Sequence, residues 1–257
     1  LSATDSRSYS WETADHSWED LRMAVYAAMI DCMDQNIGRI LKTLTDAGVE
    51  QNTLVMFLSD NGGCAEEPGG RNTQAVPGPK QYYTAVGPAW GWAQNAPFRR
   101  YKSWVHEGGI STPLIARWPA TVKPATMTNQ VGHLIDFMPT FMEMAAAKYP
   151  QQFKGQQIIP LEGKSLVPIF QGKERIAHDM LCWEWSGNRA IRQGKWKCVW
   201  DKLVRKWELY DVVADRTETQ NLAQQDPERT EAMAAAWTKW AQRTGAIKQK
   251  KSSKSKK

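Results

Sequence analysis

The chain has 257 residues, 42% of them hydrophobic and 23% charged, which is enough apolar content for a core and excludes a chain that is disordered throughout. No apolar run approaches the roughly 20 residues that a membrane-spanning helix needs, so we expect no membrane span. The formal net charge is +6, and the six lysines of Lys248–Lys257, a segment without acidic residues, account for the whole excess.

That terminal segment is predicted to be a disordered, solvated tail. Its charge would allow contact with polyanions such as nucleic acid or sulfated polysaccharide. An inert tail is the simpler interpretation, and we expect no specific nucleic-acid partner.

The first predicted element is a long helix. Residues 1–16 are polar and aperiodic, and Ser17-Trp18-Glu19-Asp20 resembles a capping box. Apolar residues then recur at helical spacing, and Gly48 suits the position just after the helix. These apolar positions are Leu21, Val25, Ala28, Cys32, Ile37, Ile40, Leu41 and Leu44.

An apolar strand follows the helix and leads into the first candidate site. Leu54–Leu58 is predicted to be a buried strand, and Ser59-Asp60-Asn61-Gly62-Gly63 comes directly after it. Ligands bind beyond the carboxyl ends of strands in open α/β sheets, and carboxylate and amide oxygens suit a hard cation such as calcium. Asp60 and Asn61 are therefore candidate metal ligands. The alternative is a surface turn, because Asn-Gly also favours hairpins and short motifs match often by chance.

Residues 64–97 are rich in glycine and proline and are predicted to form one long loop beside the site. The loop carries four aromatic residues, for which two roles stay open. They either stack on a sugar or aryl ring of a substrate or pin the loop to the core. The four are Tyr82, Tyr83, Trp90 and Trp92.

The next segment, Pro97–Gly109, reads Pro-Phe-Arg-Arg-Tyr-Lys-Ser-Trp-Val-His-Glu-Gly-Gly. Here the chain resembles the sulfatases, the arylsulfatase-like branch of the alkaline phosphatase superfamily. Ser59-Asp60-Asn61-Gly62 matches the second calcium-binding segment of that family. A lysine five residues before Glu-Gly-Gly matches its sulfate-binding lysine, which is Lys102 in this sequence.

The resemblance implies roles for several residues of this segment. Lys102 would contact the sulfate as a point charge or protonate the departing oxygen. His106 is a second catalytic candidate, which either contacts substrate near the leaving group or is held by a backbone carbonyl inside the protein. Glu107 is expected to hold the Gly-Gly turn rather than act as a base. Arg99 and Arg100 receive no firm role.

The likeness covers most of residues 18–243. Tyr26–Ile40, His133–Ala145 and Trp207–Ala223 resemble, in that order, the helix before the metal strand, a late helix of the catalytic core and the closing strand and turn. The family carries one calcium ion and a formylglycine nucleophile made from a Cys/Ser-x-Pro-x-Arg motif. That motif does not occur in the 257 residues. We therefore expect these residues to be the C-terminal part of a sulfatase and to be inactive on their own.

The remaining elements are short. Pro113–Ala116 is predicted to be a strand, and Asp136 to be the N-cap of a helix that ends at Ala147. Four short strands and a helix from Pro227 to about Trp240 close the chain. The strands are Leu181–Trp185, Arg189–Arg192, Trp196–Trp200 and Glu208–Val212. His133 and His178 have no motif around them and are expected to have core or surface roles.

The four cysteines, Cys32, Cys64, Cys182 and Cys198, contain no CxxC pair, so a structural zinc site is not expected. Cys182 and Cys198 are predicted to lie on neighbouring strands. They could form a disulfide there, but we expect two buried thiols.

Together these elements predict an α/β fold with three parts. Residues 1–147 would form the C-terminal part of an alkaline-phosphatase-like α/β/α sandwich. Residues 148–246 would form an α+β subdomain with a small antiparallel sheet and one packed helix, and residues 247–257 a disordered lysine-rich tail.

The predicted function is sulfuric ester hydrolysis by the intact protein, with one Ca²⁺ and a small-molecule or carbohydrate sulfate ester as substrate. Phosphate-processing relatives place histidines around two zinc ions, so Asp-Asn argues against phosphatase activity. The resemblance implies a periplasmic or extracellular location, and the sequence makes no prediction of oligomeric state. The alternatives are a non-catalytic polyanion-binding module, which would use the tail and the aromatic loop, and a degenerate sulfatase.

Overall fold

The computed structural model describes residues 12, 14–66, 76–81 and 84–247. They form two compact units, each assembled from separated segments of the chain. One unit takes the described residues of Leu1–Val25, Asn61–Ser111 and Asp179–Lys257, and the other takes Tyr26–Asp60 and Thr112–His178. The domain boundaries predicted after residues 147 and 246 stay a prediction, and the lysine-rich tail lies outside the described residues.

Helix α1 (His16–Asp46) is the long helix that the sequence predicts. Its first turn is capped by Asp15, whose carboxylate accepts a hydrogen bond from the backbone N–H of Trp18 at 3.2 Å. The prediction that Ser17 opens a capping box is therefore wrong, because the aspartate two residues earlier takes that function. Gly48 follows the helix with φ of 69°, as predicted for a residue after the last turn.

Strand β1 (Val55–Leu58) pairs antiparallel with β2 (Leu114–Arg117). Each of these strands has one partner among the described residues. The prediction of a strand is confirmed, but the prediction that it is buried is wrong. Phe57 is 43% exposed and Ile115, directly opposite it, is 61% exposed, because no further described layer covers that face of the pair.

Two helices lie between β1 and β2 along the chain, α2 (Gly87–Asn95) and α3 (Glu107–Ile110). Asn61-Gly62 therefore does not connect two adjacent strands, which removes the hairpin alternative for this dipeptide. Helix α2 also corrects the prediction that residues 64–97 form one loop. It begins with a proline in its first turn, where the missing backbone N–H costs nothing.

The described aromatic residues of this region are held by protein partners. Trp90 Nε1 donates to the backbone carbonyl of Glu19 at 3.2 Å. The rings of Trp92 and Tyr101 meet edge to face, with centroids 5.6 Å apart. Both contacts favour the interpretation that these side chains pin the segment, whereas Tyr82 and Tyr83 lie outside the described residues.

A 3₁₀ turn (Leu134–Asp136) precedes helix α4 (Phe137–Met144). Asp136 stands at the N-cap position of α4, as predicted, but its side chain makes no capping hydrogen bond to that helix. His133 caps the 3₁₀ turn, accepting from the backbone N–H of Ile135 at 3.2 Å. Asp136 instead accepts hydrogen bonds from the backbone N–H of His133 and from the side chains of Arg175 and His178. Burial opposes ionisation of Asp136, but hydrogen bonds from the backbone N–H of Lys164, the Arg175 side chain and the backbone N–H of His133 hold its pKa below the ordinary value.

The later part of this unit is built from short elements. Strands β3 (Gln152–Phe153) and β4 (Gln156–Gln157) form a small antiparallel pair, and α5 (Val167–Phe170) is a single helical turn. The buried Asp136 cluster connects these residues to α4, because its partners come from residues 164–178. His133 and His178 thus have structural partners, as expected from the lack of a motif around them.

The other unit contains a four-stranded antiparallel sheet in the order β5-β6-β7-β8. The strands are β5 (Leu181–Trp185), β6 (Asn188–Gln193), β7 (Trp196–Asp201) and β8 (Lys206–Asp211), within two residues of the predicted bounds.

The cysteines of this sheet are not on neighbouring strands as predicted. Ile191 of the intervening strand β6 pairs with both Cys182 and Cys198, so the two thiols cannot join without moving β6. Neither forms a disulfide; Cys198 is buried as expected, whereas Cys182 is half-buried. Burial raises the pKa of the Cys198 thiol to about 12.

Apolar residues cover both faces of this sheet. On one face Ile191, Cys198 and Leu209 pack against Met233 and Trp237 of helix α6 (Pro227–Thr244). The other face brings Ala190, Val199 and Tyr210 into contact with Val105, in the segment before α3. No described helix is long and apolar enough to cross a membrane.

Candidate functional site

The candidate metal ligands follow β1 directly. Asp60 is exposed and Asn61 is half-buried. The backbone N–H of Gly62 donates to the carbonyl of Gly109 at 3.1 Å, and a Cβ at Gly62 would collide with the carbonyl oxygen of Gly108. The backbone of the Asn61-Gly62 segment therefore lies directly against the backbone of the Glu-Gly-Gly turn. Glycine is required at position 62 because any side chain there would push the two backbones apart.

Lys102 extends toward the residues that follow this segment. Its backbone N–H donates to the carbonyl of Gly63 at 3.0 Å. Its ammonium group lies 3.0 Å from Glu66 Oε2 and 3.8 Å from Cys64 Sγ. The hydrogen bond to Glu66 raises the pKa of Lys102 above its ordinary value, so the group is a cation at neutral pH. The structure thus brings together the two sequence motifs that carry the resemblance.

His106 is placed differently. Its ring is fully buried, and Nε2 lies 3.4 Å from a carboxylate oxygen of Glu208. The residue precedes the first turn of α3, and its ring packs near that of Trp104. Burial against an internal carboxylate supports a structural role, although the partner differs from the backbone carbonyl that we expected. A catalytic role for His106 stays a prediction.

The segment Arg99–Glu107, which we call the lysine loop, is anchored to strands β6–β8. The Arg100 guanidinium is 2.7 Å from Asp201 Oδ2, and the Lys197 ammonium is 2.7 Å from Glu107 Oε1. The hydrogen bonds and ion pairs that join loop to sheet include Arg99 with Tyr210, Arg100 with Asp201, Ser103 with Asn188, and Glu107 with Lys197. All four sheet residues are buried.

Sequence reasoning missed these sheet residues, although one signal was present. Lys197 lies in the predicted strand Trp196–Trp200 and Asp201 directly follows it, so in an extended chain both side chains lie on the same face as Val199. Charged residues that share a face with an apolar core position need buried partners. The expectation that Glu107 holds the Gly-Gly turn agrees with its ion pair to Lys197.

The donor chemistry fits a hard cation in part. Asp60 and Asn61 offer a carboxylate and an amide oxygen in consecutive positions, whereas calcium takes about six to eight oxygen ligands. Across the described residues, no group of three or more His, Cys, Asp or Glu side chains is arranged as a metal site. Asp60 and Asn61 thus stay candidate ligands, and the side chains of the described residues do not complete a coordination shell.

Two family models match the chain. One, described as Sulfatase, matches residues 4–147. The other, described as N-sulphoglucosamine sulphohydrolase, C-terminal, matches residues 98–244. Together they cover both candidate motifs and the four-stranded sheet.

Curated relatives agree with these matches. An uncharacterized sulfatase of Schizosaccharomyces pombe is 32% identical over 265 residues, which cover 93% of this chain and 47% of that protein. An arylsulfatase of Klebsiella aerogenes is 30% identical over 63% of this chain and 39% of its own length. The chain therefore spans less than half the length of these relatives.

Solved structures show the same fold. The structure of Ps i-CgsB in complex with k-i-k-neocarrahexaose superposes with a TM-score of 0.65 at 21% identity, over 91% of this chain and 48% of that one. A structure in complex with its substrate D-glucosamine-2-N,6-O-disulfate gives a TM-score of 0.57 at 20% identity, over 84% of this chain and 40% of that one. At these identities the likeness concerns the fold alone.

Proposed function

The chain belongs to the sulfatase family, and from this we propose that the protein is a sulfuric ester hydrolase to which these residues contribute part of the metal site and one sulfate-binding lysine. One observation carries the proposal. The Lys102 ammonium lies beside the residues that follow Asn61, and the glycine contact between Gly62 and the Glu-Gly-Gly turn fixes that arrangement.

Lys102 would act mainly through its charge. A sulfate monoester is an anion, and its cleavage places further charge on the departing oxygen, which a nearby cation stabilises. The raised pKa of Lys102 keeps the amine protonated but makes it a reluctant proton donor at neutral pH. We therefore favour charge stabilisation over protonation of the leaving group as the function of Lys102.

Asp60 and Asn61 would hold a calcium ion through their side-chain oxygens. When bound, such an ion would supply Lewis-acid polarisation and neutralise charge on the sulfate. The formylglycine nucleophile would come from a Cys/Ser-x-Pro-x-Arg motif, which the intact protein must supply outside these 257 residues.

The test is turnover of a chromogenic aryl sulfate by the intact protein that carries these residues. We expect Lys102→Ala to lower kcat/KM by about 100-fold or more, the scale seen when one stabilising group is removed from a charged transition state. Lys148→Ala, which changes an exposed lysine, is the matched control and should keep full activity. Equal activity of the two variants would contradict the proposed role of Lys102.

Calcium binding has its own readout. Calcium should raise the melting temperature of the protein, and Asp60→Ala should abolish that shift, because one of the proposed oxygen ligands is lost. Asp34→Ala, another exposed aspartate, should leave the shift intact. A calcium response that survives in Asp60→Ala would remove this residue from the metal site.

We propose a small-molecule or carbohydrate sulfate ester as the substrate class and a periplasmic or extracellular location, both on the basis of family membership. The rival function, polyanion binding without catalysis, depends on the six lysines of Lys248–Lys257. Deletion of Lys248–Lys257 distinguishes this function from sulfate ester hydrolysis. If the deleted protein loses heparin binding but keeps turnover, polyanion binding belongs to the tail alone.

A further inference from the structure

The face of the sheet that meets the lysine loop holds an unusual set of buried charges. Lys197, in the middle of β7, is fully buried, and its ammonium lies 2.7 Å from Glu107 Oε1 and 2.8 Å from Glu218 Oε1. Glu218 in turn accepts a hydrogen bond from the backbone N–H of Glu107 at 2.7 Å. Lys197 and Glu218 thus hold Glu107 by both its side chain and its main chain.

The side chains of Lys102 and Ser103, in the same loop, have partners outside the sheet, and the Ser103 hydroxyl donates to Glu66 Oε1 at 3.2 Å. Arg99, Arg100 and Glu107 direct their charged groups to partners on the sheet, whereas the Lys102 ammonium contacts Glu66 and Cys64. The loop therefore has one side fixed to a buried surface and one cation presented on the opposite side.

The Glu-Gly-Gly turn connects these two sides. The backbone N–H of Gly108 donates to the carbonyl of Arg99 at 2.9 Å, which closes the lysine loop at its base. The carbonyl of Gly109 accepts from the N–H of Gly62 at 3.1 Å, which attaches the Asn61-Gly62 segment to the same turn. The two glycines that make these connections directly follow Glu107, the residue that Lys197 holds.

We propose that Lys197 is a positioning residue: through Glu107 it fixes the Glu-Gly-Gly turn, and with it the place of the Lys102 ammonium relative to the Asn61-Gly62 segment. The functional meaning of this position rests on the proposed sulfatase activity, but the positioning itself is a property of the fold. Lys197 is a positioning residue rather than a catalytic one, since it acts through Glu107 and the turn.

The charges of the cluster depend on one another. Burial alone would raise the pKa of Glu107, but the attraction and hydrogen bond of Lys197 bring it below the ordinary value. Burial alone would lower the pKa of Lys197, and the two carboxylates raise it. Removal of the lysine would take away the buried cation that Glu107 and Glu218 share. Arg216, which is half exposed and 3.9 Å from Glu107, would remain, but Lys197→Met alone is expected to destabilise the whole fold.

The test uses the triple variant Lys197→Met/Glu107→Gln/Glu218→Gln, which removes all three charges and keeps similar volumes. Neutral replacement of buried charges that compensate one another is often tolerated, and Arg216 beside Glu107 is half exposed to solvent, so this variant should fold. Lys195→Met is the matched control, since Lys195 lies two residues earlier and forms an exposed ion pair with Asp211.

The first readout is hydrogen exchange of the backbone amides of Lys102 and Gly108, whose acceptors are the carbonyls of Gly63 and Arg99. We expect exchange at these amides to be roughly tenfold faster or more in the triple variant, because the turn opens locally, with α6 unchanged. Lys195→Met should match the wild type.

The second readout is the pH profile of Lys102 acylation, followed by mass spectrometry. The groups that face the Lys102 amine are Glu66 and Cys64, and the hydrogen bond to Glu66 raises its pKa. Displacement of the loop would break that contact and move the profile to lower pH, which a loss of general stability would not do while the protein stays folded.

Unchanged exchange and an unchanged acylation profile in a folded triple variant would overturn the proposal. Equally faster amide hydrogen exchange in α6, or failure of the triple variant to fold, would also overturn the proposal, because Lys197 would then support the whole unit rather than the loop. Neither readout requires turnover, so failure here is distinguishable from failure of the proposed sulfatase activity.

Discussion

The two larger sheets of this molecule differ in what covers their apolar side chains. In the four-stranded sheet, Ile191 and Val199 face opposite sides and both are fully buried, one against α6 and the other near the lysine loop. In the β1–β2 pair, Phe57 and Ile115 lie opposite each other and are exposed. An apolar strand sequence thus predicts a strand correctly but does not tell which layer covers it.

The charged residues show the same contrast. Arg100 and Asp201 form a buried ion pair at 2.7 Å in the unit with the four-stranded sheet. Lys42 and Asp46 form an exposed pair at 2.8 Å on α1 in the other unit. The distances are nearly equal, so burial and not geometry should decide how much each pair contributes to stability.

The largest effect should come from the core of the four-stranded sheet. Trp237→Ala removes a fully buried ring beside Leu209 and should lower the free energy of unfolding by about 3–5 kcal/mol. Phe57→Ala is the comparison and should cost less than about 1.5 kcal/mol, because its ring is already partly in water. Urea denaturation of both variants measures the difference, and equal losses would break the contrast between the sheets.

The ion pairs provide the next test. Asp201→Ala leaves the Arg100 guanidinium buried without its carboxylate and should lower the free energy of unfolding by about 3 kcal/mol. Lys42→Ala removes an exposed helix pair and should cost about 0.3–0.5 kcal/mol. Both are measured by thermal or urea unfolding, and a loss of similar size in the two variants would refute the dependence on burial.

Acid should distinguish the buried cluster from the exposed pairs. The pKa of Glu107 is lowered in the fold, so its contribution to stability is complete above the ordinary value of 4.5 and is lost as the pH falls through the folded value. Each unit of depression corresponds to about 1.4 kcal/mol. In Glu107→Gln the free energy of unfolding should fall less steeply below about pH 5.

The matched variant for this measurement is Asp46→Asn, which changes an exposed carboxylate and should leave the slope of stability against pH unchanged. At alkaline pH the stability should depend on Lys197. Its pKa is raised in the fold, so its contribution to stability is complete below pH 10.5 and is lost as the pH rises through the pKa of the folded state. A Glu107→Gln protein with the wild-type acid slope would exclude Glu107 as a source of acid lability.

The smallest effect should come from the exposed face of β2. Ile115→Thr replaces a side chain that is mostly in water, keeps a β-branched residue, and should change the free energy of unfolding by no more than about 0.5 kcal/mol. It should, however, lower the binding of a dye such as ANS, since the exposed apolar face is reduced. Unchanged dye fluorescence would show that this face does not contribute to binding.

The sequence predicted the four-stranded sheet and α6 well because alternating residues and turn residues act locally. Gly187 and Gly194 adopt positive φ in the turns that separate β5, β6 and β7. A single glycine in each turn therefore marks where the neighbouring strands end. The candidate pair Asp60-Asn61 and Lys102 were found by motif, and the structure places the segment after Asn61 beside the Lys102 ammonium.

Other features had no local signal. The glycines of α2 weaken its helical pattern in the sequence, yet Gly91 is needed there for close contact with Ala65, where a Cβ would lie 2.9 Å from the alanine methyl. Two good capping residues, Asp15 and Ser17, compete within one turn of α1, and sequence does not rank them. The partners of Lys197 lie 90 positions before it, at Glu107, and beyond the end of β8, at Glu218, so only the fold reveals them.

The contact between Gly62 and Gly108 sets a spacing that depends on main-chain atoms alone. A separation maintained by side chains would vary as their rotamers exchange, whereas peptide groups in direct contact have no such freedom. Heating should therefore increase the motion of the Lys102 side chain well before it changes the distance between the backbones of Gly62 and Gly108. Any variation in the reach of the ammonium group would then come from the lysine side chain itself, and Lys102→Arg would change both the length of that side chain and the shape of its cationic group.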